Sequence, residues 1–197
     1  MNRHIILHTP HGTLHGHLER PELPRGLILL ARAHLGTADA VIEAGLAACG
    51  AAILTMELLS AQEIQFADAT HNVPRLTERL LDILNLIRND GDMEQLPLGI
   101  YVVGDIAPAA IRAAAQRDTQ VRAIACHGGL IDRAGGQALD LLLAPLLMLL
   151  DADDNAGMTA SRRAASHLHN DYKIELLGAG ETPLAQVSDW LARHIGL

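Results

Sequence analysis

Two adjacent residues, Cys126 and His127, carry the side chains of a nucleophile and a base near the end of an apolar run. A thiol beside an imidazole can work as a pair in which the base takes the proton of the nucleophile. Consecutive strand residues point to opposite faces of a sheet, so these side chains do not meet if the strand continues through them. We therefore interpret Cys126 as a buried structural cysteine. Ser60 and Ser161 have no recognisable base near them and are interpreted as surface hydroxyls.

Two groups of residues have the chemistry of metal ligands. Four histidines lie before residue 18, namely His8, His11, His15 and His17. Imidazole is a common ligand, but this set straddles a turn and lacks a carboxylate or cysteine that would complete a known spacing. Three carboxylates, Asp151, Asp153 and Asp154, crowd at the end of another apolar run and could bind a divalent cation, although solvated loop carboxylates are the favoured interpretation. We predict no metal site.

Glycine pairs at two further positions raise the question of a nucleotide cofactor. Gly128-Gly129 and the Gly178-Ala179-Gly180 segment both follow strand-like runs, and they match neither G-x-G-x-x-G nor a P-loop. Tight turns at strand ends explain both. We predict that the protein uses no cofactor.

The turn at Gly104-Asp105 lies in the stretch around which the rest of the chain is organised. Residues 100–103 form a short apolar run rich in β-formers, and residues 107–116 have the composition of a helix, with Pro108 early enough to be tolerated. This pattern predicts a buried strand that runs through a sharp turn into an Ala-rich helix. Chemistry would be located at that turn.

Similar patterns recur along the chain. They predict strands at residues 4–9, 13–18, 27–31, 51–56, 100–103, 121–126, 146–150 and 173–177, and helices at residues 39–49, 73–88, 107–116, 159–170 and 183–194. The first two strands flank Pro10-His11-Gly12 and predict a hairpin. After them strands alternate with helices, which implies βαβ crossovers and a mainly parallel sheet with helices on both faces. The functional crevice of such a sheet lies at the carboxyl ends of its strands.

Composition narrows the class of protein. The 197 residues, 49% of them hydrophobic, suit one domain with a sizeable core. Aromatic residues make up only 2%, and the net charge is −8 without a run of Lys or Arg, which argues against nucleic acid and against an anionic membrane surface as partners. Residues 1–18 do not resemble a signal peptide, and no apolar run is long enough to span a bilayer. We predict a cytoplasmic protein with reduced cysteines.

Several segments together resemble the dienelactone-hydrolase-like branch of the α/β-hydrolase superfamily, in particular its small bacterial members. These segments are RGLILLARAH, EAGLAACGAAILTMELLS, LPLGIYVVGDIAPAAIRAAA, VRAIACHGGLID, APLLMLLDADDN and IELLGAGET. The likeness covers most of the chain. It implies an α/β fold, an α/β-hydrolase-like three-layer α-β-α sandwich with a central, mostly parallel sheet. It also implies a Ser-His-acid site whose nucleophile lies on a Gly-x-Ser-x-Gly turn.

The nucleophile position of that family falls on Gly104. A count back from Val121 without a gap puts Val102 and Ile106 where the two flanking glycines would be. A second register would put Ile106 at the apex of the turn. We prefer Gly104, because the apex needs a positive φ, which glycine reaches without the steric cost that a β-branched side chain meets. Neither register supplies a nucleophile.

The other family positions are also incomplete. The acid falls on Asp154, the histidine falls on Glu181 or Thr182, and the His-Gly loop of the oxyanion hole falls on Arg32-Ala33. A triad works because the acid orients the base and the base takes the proton of the nucleophile, so Asp154 has nothing to orient here. Gly104, Asp154, Glu181 and Thr182 are therefore interpreted as vestigial positions.

Four residues at the predicted strand ends are binding candidates: Arg32, Asp105, His127 and Asp154. Arg32 could bind an anion, although an exposed, solvated arginine is the favoured interpretation.

Three hypotheses about function follow. The first is a catalytically degenerate hydrolase homologue, a pseudoenzyme, that keeps a binding role for a small molecule or a scaffold role. The second is an active small hydrolase of esters or lactones that uses a noncanonical residue. The third is a structural or interaction protein whose crevice is closed by the bulk of Val102 and Ile106. A homodimer is compatible with a small, leucine-rich chain.

Overall fold

The computed structural model describes residues 1–35 and 37–197. Within them, the strands are β1 (Asn2–Thr9), β2 (Gly12–Glu19), β3 (Gly26–Arg32), β4 (Ala51–Glu57), β5 (Leu98–Val103), β6 (Val121–His127), β7 (Leu146–Asp151) and β8 (Tyr172–Leu177). The α-helices of the same residues are α1 (Thr37–Ala47), α2 (Val73–Asn89), α3 (Ala107–Ala115), α4 (Gly136–Asp140), α5 (Asn155–Ala165) and α6 (Leu184–Ile195). Short 3-10 helices span Glu63–Gln65, Ala69–His71, Gly104–Ile106 and Ile131–Ala134.

The strands form a sheet in the order β1-β2-β4-β3-β5-β6-β7-β8. β1 and β2 are an antiparallel hairpin, and β2 is antiparallel to β4. From β4 through β3 to β8, all neighbouring strands are parallel. The predicted hairpin and the predicted mainly parallel sheet are both confirmed.

Helices cover both faces of the sheet, so the central strands are continuous apolar runs rather than alternating ones. β3 is buried along its whole length. α1 and α6 pack on one face, together with Tyr101 of β5 and Leu149 of β7. α2, α3 and α5 pack on the other, where Val102 and Cys126 point. This is the predicted three-layer sandwich. Among the described residues, no helix is long and apolar enough to cross a membrane.

The boundaries of α5 differ from the prediction. The helix begins at Asn155 and ends at Ala165, whereas the sequence pattern predicts residues 159–170. The earlier start has a local cause, because the Asp154 carboxylate accepts a hydrogen bond from the backbone N–H of Gly157 at 2.8 Å and so caps the first turn. The short helix α4 has no counterpart among the predicted elements.

A buried arginine joins the hairpin to α2. The Arg79 side chain is only 2% exposed, and it donates hydrogen bonds to the carbonyl oxygens of His11 and Leu58 and to both carboxylate oxygens of Glu63, at 2.7 and 2.9 Å. The hydrogen bond from Arg79 lowers the pKa of the Glu63 carboxyl to about 2. This cluster fixes the start of the segment between β4 and α2, which contacts the turn after β5.

Candidate functional site

A cavity of about 660 Å³ lies at the carboxyl ends of β3, β5 and β6, on the face that carries α1 and α6. Most of its wall is apolar, and its lining residues are Arg32, Ala33, His34, Leu35, Val41, Ile42, Tyr101, Val103, His127, Thr182 and Pro183. Parallel α/β folds bind their ligands at this same place, the carboxyl ends of the strands. The volume falls in the range of small-molecule sites.

The alternation of β5 decides which of its side chains reach this cavity. Tyr101 and Val103 point to the cavity face, and Val102 points to the opposite core. Val103 pairs with His127 in the parallel register between β5 and β6, so the last residues of these two strands lie side by side at the cavity.

Arg32 corrects one interpretation from the sequence. It is the last residue of β3 and is only 5% exposed, not a solvated surface arginine. Its guanidinium carbon lies 4.7 Å from the centre of the Tyr101 ring, a cation–π distance, and its Nη1 donates to the carbonyl of Ala31 at 3.1 Å. The strand continues far enough to carry the side chain over the neighbouring ring of β5, so the Arg32 guanidinium lies in the wall of the cavity.

His127 forms a pair that the sequence analysis missed. Its Nε2 lies 3.1 Å from Oδ1 of Asp151, the last residue of β7. An ionised carboxylate only accepts hydrogen bonds, so we assign the proton to Nε2, and Nδ1 then carries the lone pair. The His127 side chain is 19% exposed and that of Asp151 is 65% exposed. The available signal was that the adjacent strands β6 and β7 both end on polar residues.

The turn after β5 has the backbone geometry expected of an apex at Gly104. Gly104 has a φ of 62°, and a Cβ added there would meet no atom within 4 Å. Ile106 instead has a right-handed φ of −77° and is 2% exposed, in the core. The positive φ therefore lies where the preferred register requires it. There is room for a side chain at this position, but glycine has none and so supplies no nucleophile.

Gly129 touches this turn. A Cβ at Gly129 would lie 2.2 Å from the carbonyl oxygen of Gly104, and the φ of Gly129 is 90°. The backbones after β5 and β6 therefore approach each other too closely for any side chain at this position. This contact holds the loop after His127 against the Gly104 turn.

Asp105 is directed away from the cavity lining. Its Oδ2 accepts a hydrogen bond from the Thr70 hydroxyl at 2.9 Å and lies 3.4 Å from Nε2 of His71. These contacts attach the 3-10 helix Ala69–His71 to the turn after β5. The predicted binding candidate Asp105 thus has a structural contact with that helix.

Asp154 and Glu181 also make local backbone contacts. Asp154 caps α5, as described above, and Glu181 accepts a hydrogen bond from the N–H of Gly178 at 3.0 Å. Neither is among the residues that line the cavity in the described part of the chain, although Thr182 is. The structure therefore brings Arg32, His127 and Thr182 together and leaves the other predicted site residues outside the lining.

Cys126 is wholly buried among the residues of the opposite face, and burial raises the pKa of its thiol. This agrees with its interpretation as a structural cysteine and with its separation from His127.

The prediction for Ser161 is wrong, since this residue of α5 is completely buried rather than on the surface. The small Ser side chain lies on the inner side of the helix, where Ala160 and Ala164 are also buried.

The N-terminal histidines are used in separate pairs. Nδ1 of His11 lies 2.9 Å from Asp82, and His17 contacts Glu43. Nδ1 of His8 lies 3.1 Å from the Thr13 hydroxyl. Among the residues whose positions are described, no group of three metal-ligating side chains forms.

Comparison with known proteins adds sequence relatives of low identity. No protein-family model matches the chain. Two Mycobacterium tuberculosis proteins, of the strains CDC 1551 and H37Rv, are each 27% identical over 194 residues and are provisionally named phosphoribosyl transferases. The match covers 91% of this chain and 44% of each relative, so the chain spans less than half of their length.

Solved structures superimpose on nearly the whole chain. Dienelactone hydrolase from Anabaena variabilis superimposes with a TM-score of 0.89 at 21% identity, covering 99% of this chain and 98% of its own. Est1E from Butyrivibrio proteoclasticus superimposes with a TM-score of 0.77 at 10% identity, covering 99% of this chain and 100% of its own. A second structure of that protein has ferulic acid bound. The sheet order, the helices on both faces and these superpositions agree: the chain has the α/β-hydrolase fold in its dienelactone-hydrolase-like form.

Proposed function

We propose that this chain is an α/β-hydrolase homologue that has given up the Ser-His-acid mechanism and binds a small, largely apolar ligand at the carboxyl ends of its strands. The cavity of about 660 Å³ is the observation that carries the proposal. Apolar walls with a few convergent polar groups are the usual composition of a small-molecule site. Here the polar groups include Arg32, His34, His127 and Thr182.

The loss of the triad mechanism is supported by the residues at its positions. Gly104 has no side chain to act as nucleophile, and Glu181 and Thr182 supply no imidazole. Asp154 is engaged as the cap of α5 instead of orienting a base. Removal of triad members lowers turnover by several orders of magnitude, and binding alone leaves only a residue of catalysis.

An open cavity argues against the hypothesis of a purely structural protein with a closed crevice. Val102 and Ile106 are buried on the opposite face of the sheet and do not fill this space. The match covers only 44% of the length of each Mycobacterium tuberculosis relative, so their name gives no support to a transferase function of this chain.

The cavity chemistry selects the test ligand. Ferulate combines an aromatic body, suited to the apolar wall, with a carboxylate that the positive charge of Arg32 favours. Isothermal titration calorimetry should give a Kd of about 1 mM or tighter, from about 0.3 kcal/mol of binding free energy per non-hydrogen atom. Val103→Phe adds bulk to the cavity wall and should weaken binding about tenfold, which is about 1.4 kcal/mol.

A control introduces a phenylalanine ring elsewhere. Ala138→Phe introduces a ring into a separate surface cleft between α3 and α4, which Arg112 and Gly136 also line. It should leave the Kd for ferulate unchanged. Equal affinities of wild type and Val103→Phe, or no binding to the wild type, would contradict the proposal.

Two further expectations belong to the same proposal. A cytoplasmic location is consistent with the acidic composition and with the pair of free cysteines, Cys49 and Cys126. A homodimer remains a prediction, and a light-scattering mass of the purified chain checks it directly.

A further inference from the structure

His127 and Asp151 form an oriented acid–base pair at the edge of the cavity. The two residues are 24 positions apart in the sequence and come from the adjacent strands β6 and β7. The backbone N–H of Gly128 donates to the carbonyl of Leu149 at 2.8 Å, which fixes the end of β6 against β7. The pair is therefore held by the sheet itself rather than by a mobile loop.

The hydrogen bond to Asp151 decides which nitrogen of His127 is basic. Asp151 accepts the proton of Nε2, so the lone pair lies on Nδ1. Among the described residues, Nδ1 makes no hydrogen bond, and the His127 side chain lines the cavity. A carboxylate that orients an imidazole also stabilises the imidazolium that forms when the ring takes a proton. The arrangement has the two features of a general base: an available lone pair and an orienting acid.

We propose that His127, positioned by Asp151, is a general base that activates water against small esters with an apolar body bound in this cavity. The inference rests on the proposed ligand-binding function and adds a reaction to it. Its mechanism differs from that of a Ser-His-acid hydrolase because no covalent intermediate forms.

The reaction balances with water as the co-reactant. Nδ1 of His127 takes one proton from water while the water oxygen forms a bond to the ester carbonyl carbon, which gives a tetrahedral intermediate. The bond from that carbon to the alcohol oxygen then breaks, and the leaving alkoxide takes the proton back from Nδ1. The products are the acid and the alcohol, and the imidazole returns to its starting state.

Protein nucleophiles compete poorly with water at this position. Gly104 has no side chain, and the Cys126 thiol is buried on the opposite face. Thr182 and Tyr101 carry the hydroxyl groups among the described residues that line the cavity, so both are alternatives that the experiment must exclude.

The experiment measures hydrolysis of 4-nitrophenyl butyrate by the full chain. The wild type should exceed the buffer rate without a burst of nitrophenol, and His127→Ala should lower kcat by about 100-fold or more, the usual contribution of a general base. Added imidazole should restore part of the turnover of His127→Ala, which a structural role of His127 would not allow. Asp151→Asn should lower kcat at unchanged KM, and Asp151→Glu should recover part of it.

The chain offers a matched control. His11 forms a comparable pair with Asp82, with 2.9 Å between Nδ1 and Oδ2, at the hairpin away from the cavity. His11→Ala should leave kcat unchanged. His127→Gln with an unchanged melting temperature serves as the second variant if His127→Ala folds poorly.

Defined results would overturn the inference. Turnover that His127→Ala and His127→Gln leave intact would remove His127 as the base. A burst of nitrophenol that disappears in Thr182→Val or in Tyr101→Phe would do so too, because it would show a covalent intermediate on the hydroxyl of that residue. A nitrogen NMR spectrum with the proton on Nδ1 rather than Nε2 would do the same. Ferulate binding without ester turnover contradicts this inference alone, whereas absence of ferulate binding contradicts the proposed function as well.

Discussion

Replacement of Gly104 by alanine tests whether the turn after β5 is an elbow held in a left-handed conformation. The φ of Gly104 is 62°, where an L-residue with a Cβ loses about 1–2 kcal/mol. Its Cβ would meet no atom within 4 Å, so steric overlap with other residues adds nothing to this cost. The conformational strain should therefore account for the whole native-state effect.

Gly91→Ala is the matched control, because Gly91 also has no atom within 4 Å of an added Cβ and its φ lies outside the left-handed region. Alanine reduces the entropy of the unfolded chain similarly at both positions, which stabilises by about 0.4–1 kcal/mol where no strain opposes it. The difference between the two variants isolates the strain. We expect Gly104→Ala to be less stable than Gly91→Ala by about 1–2 kcal/mol.

Urea unfolding followed by circular dichroism measures this difference. In a chain of this size it corresponds to a gap in Tm of about 2–8 °C. Gly104→Asn should lie between glycine and alanine, because asparagine tolerates the left-handed region better than alanine does. If Gly104→Ala and Gly91→Ala agree within about 0.3 kcal/mol, the strain argument fails, and with it the physical reason for preferring Gly104 to Ile106 as the apex.

Two further predictions concern the ion pair between Arg79 and Glu63 and the proposed loss of the triad. Glu63→Gln leaves the Arg79 charge without its carboxylate and should cost about 2 kcal/mol at pH 7. Because the folded-state pKa of Glu63 is about 2, below its ordinary value of 4.5, this contribution is complete above pH 4.5 and is lost as the pH falls towards 2, so urea unfolding at pH 7 and pH 3 should show the variant approaching the wild type. Gly104→Ser and Thr182→His should each leave ester hydrolysis near the rate of the parent chain, and together they should produce a burst of nitrophenol, because nucleophile and base act as a unit. A burst in the Gly104→Ser single variant would show that another base already reaches the turn.

The architecture of the protein could be predicted from the sequence because it depends on local patterns. Residues 27–31 and 51–56 are short apolar runs without polar alternation, a pattern typical of strands in a sheet covered on both faces. The alternation of such runs with helical periods implied the parallel crossovers that the sheet shows. The left-handed backbone at Gly104 followed from the same kind of reasoning, since φ depends on the steric freedom of the residue itself.

Side-chain environment at the ends of strands was decided by the tertiary structure. Arg32 is buried because the adjacent strand β5 presents the Tyr101 ring beneath it, and no local pattern near Arg32 encodes that neighbour. Asp105 and Asp154 are engaged by Thr70 and by the first turn of α5, contacts that remove them from the lining of the cavity.

The pairing of His127 with Asp151 is the clearest case. Each residue was recognised from the sequence as a polar group at a strand end, but they are 24 residues apart, and their contact depends on the parallel register of β6 against β7. A shift of that register by one residue would turn one of the two side chains to the other face of the sheet. Local patterns therefore determined which strands and turns form, and only the register between strands determined which polar groups meet at the cavity.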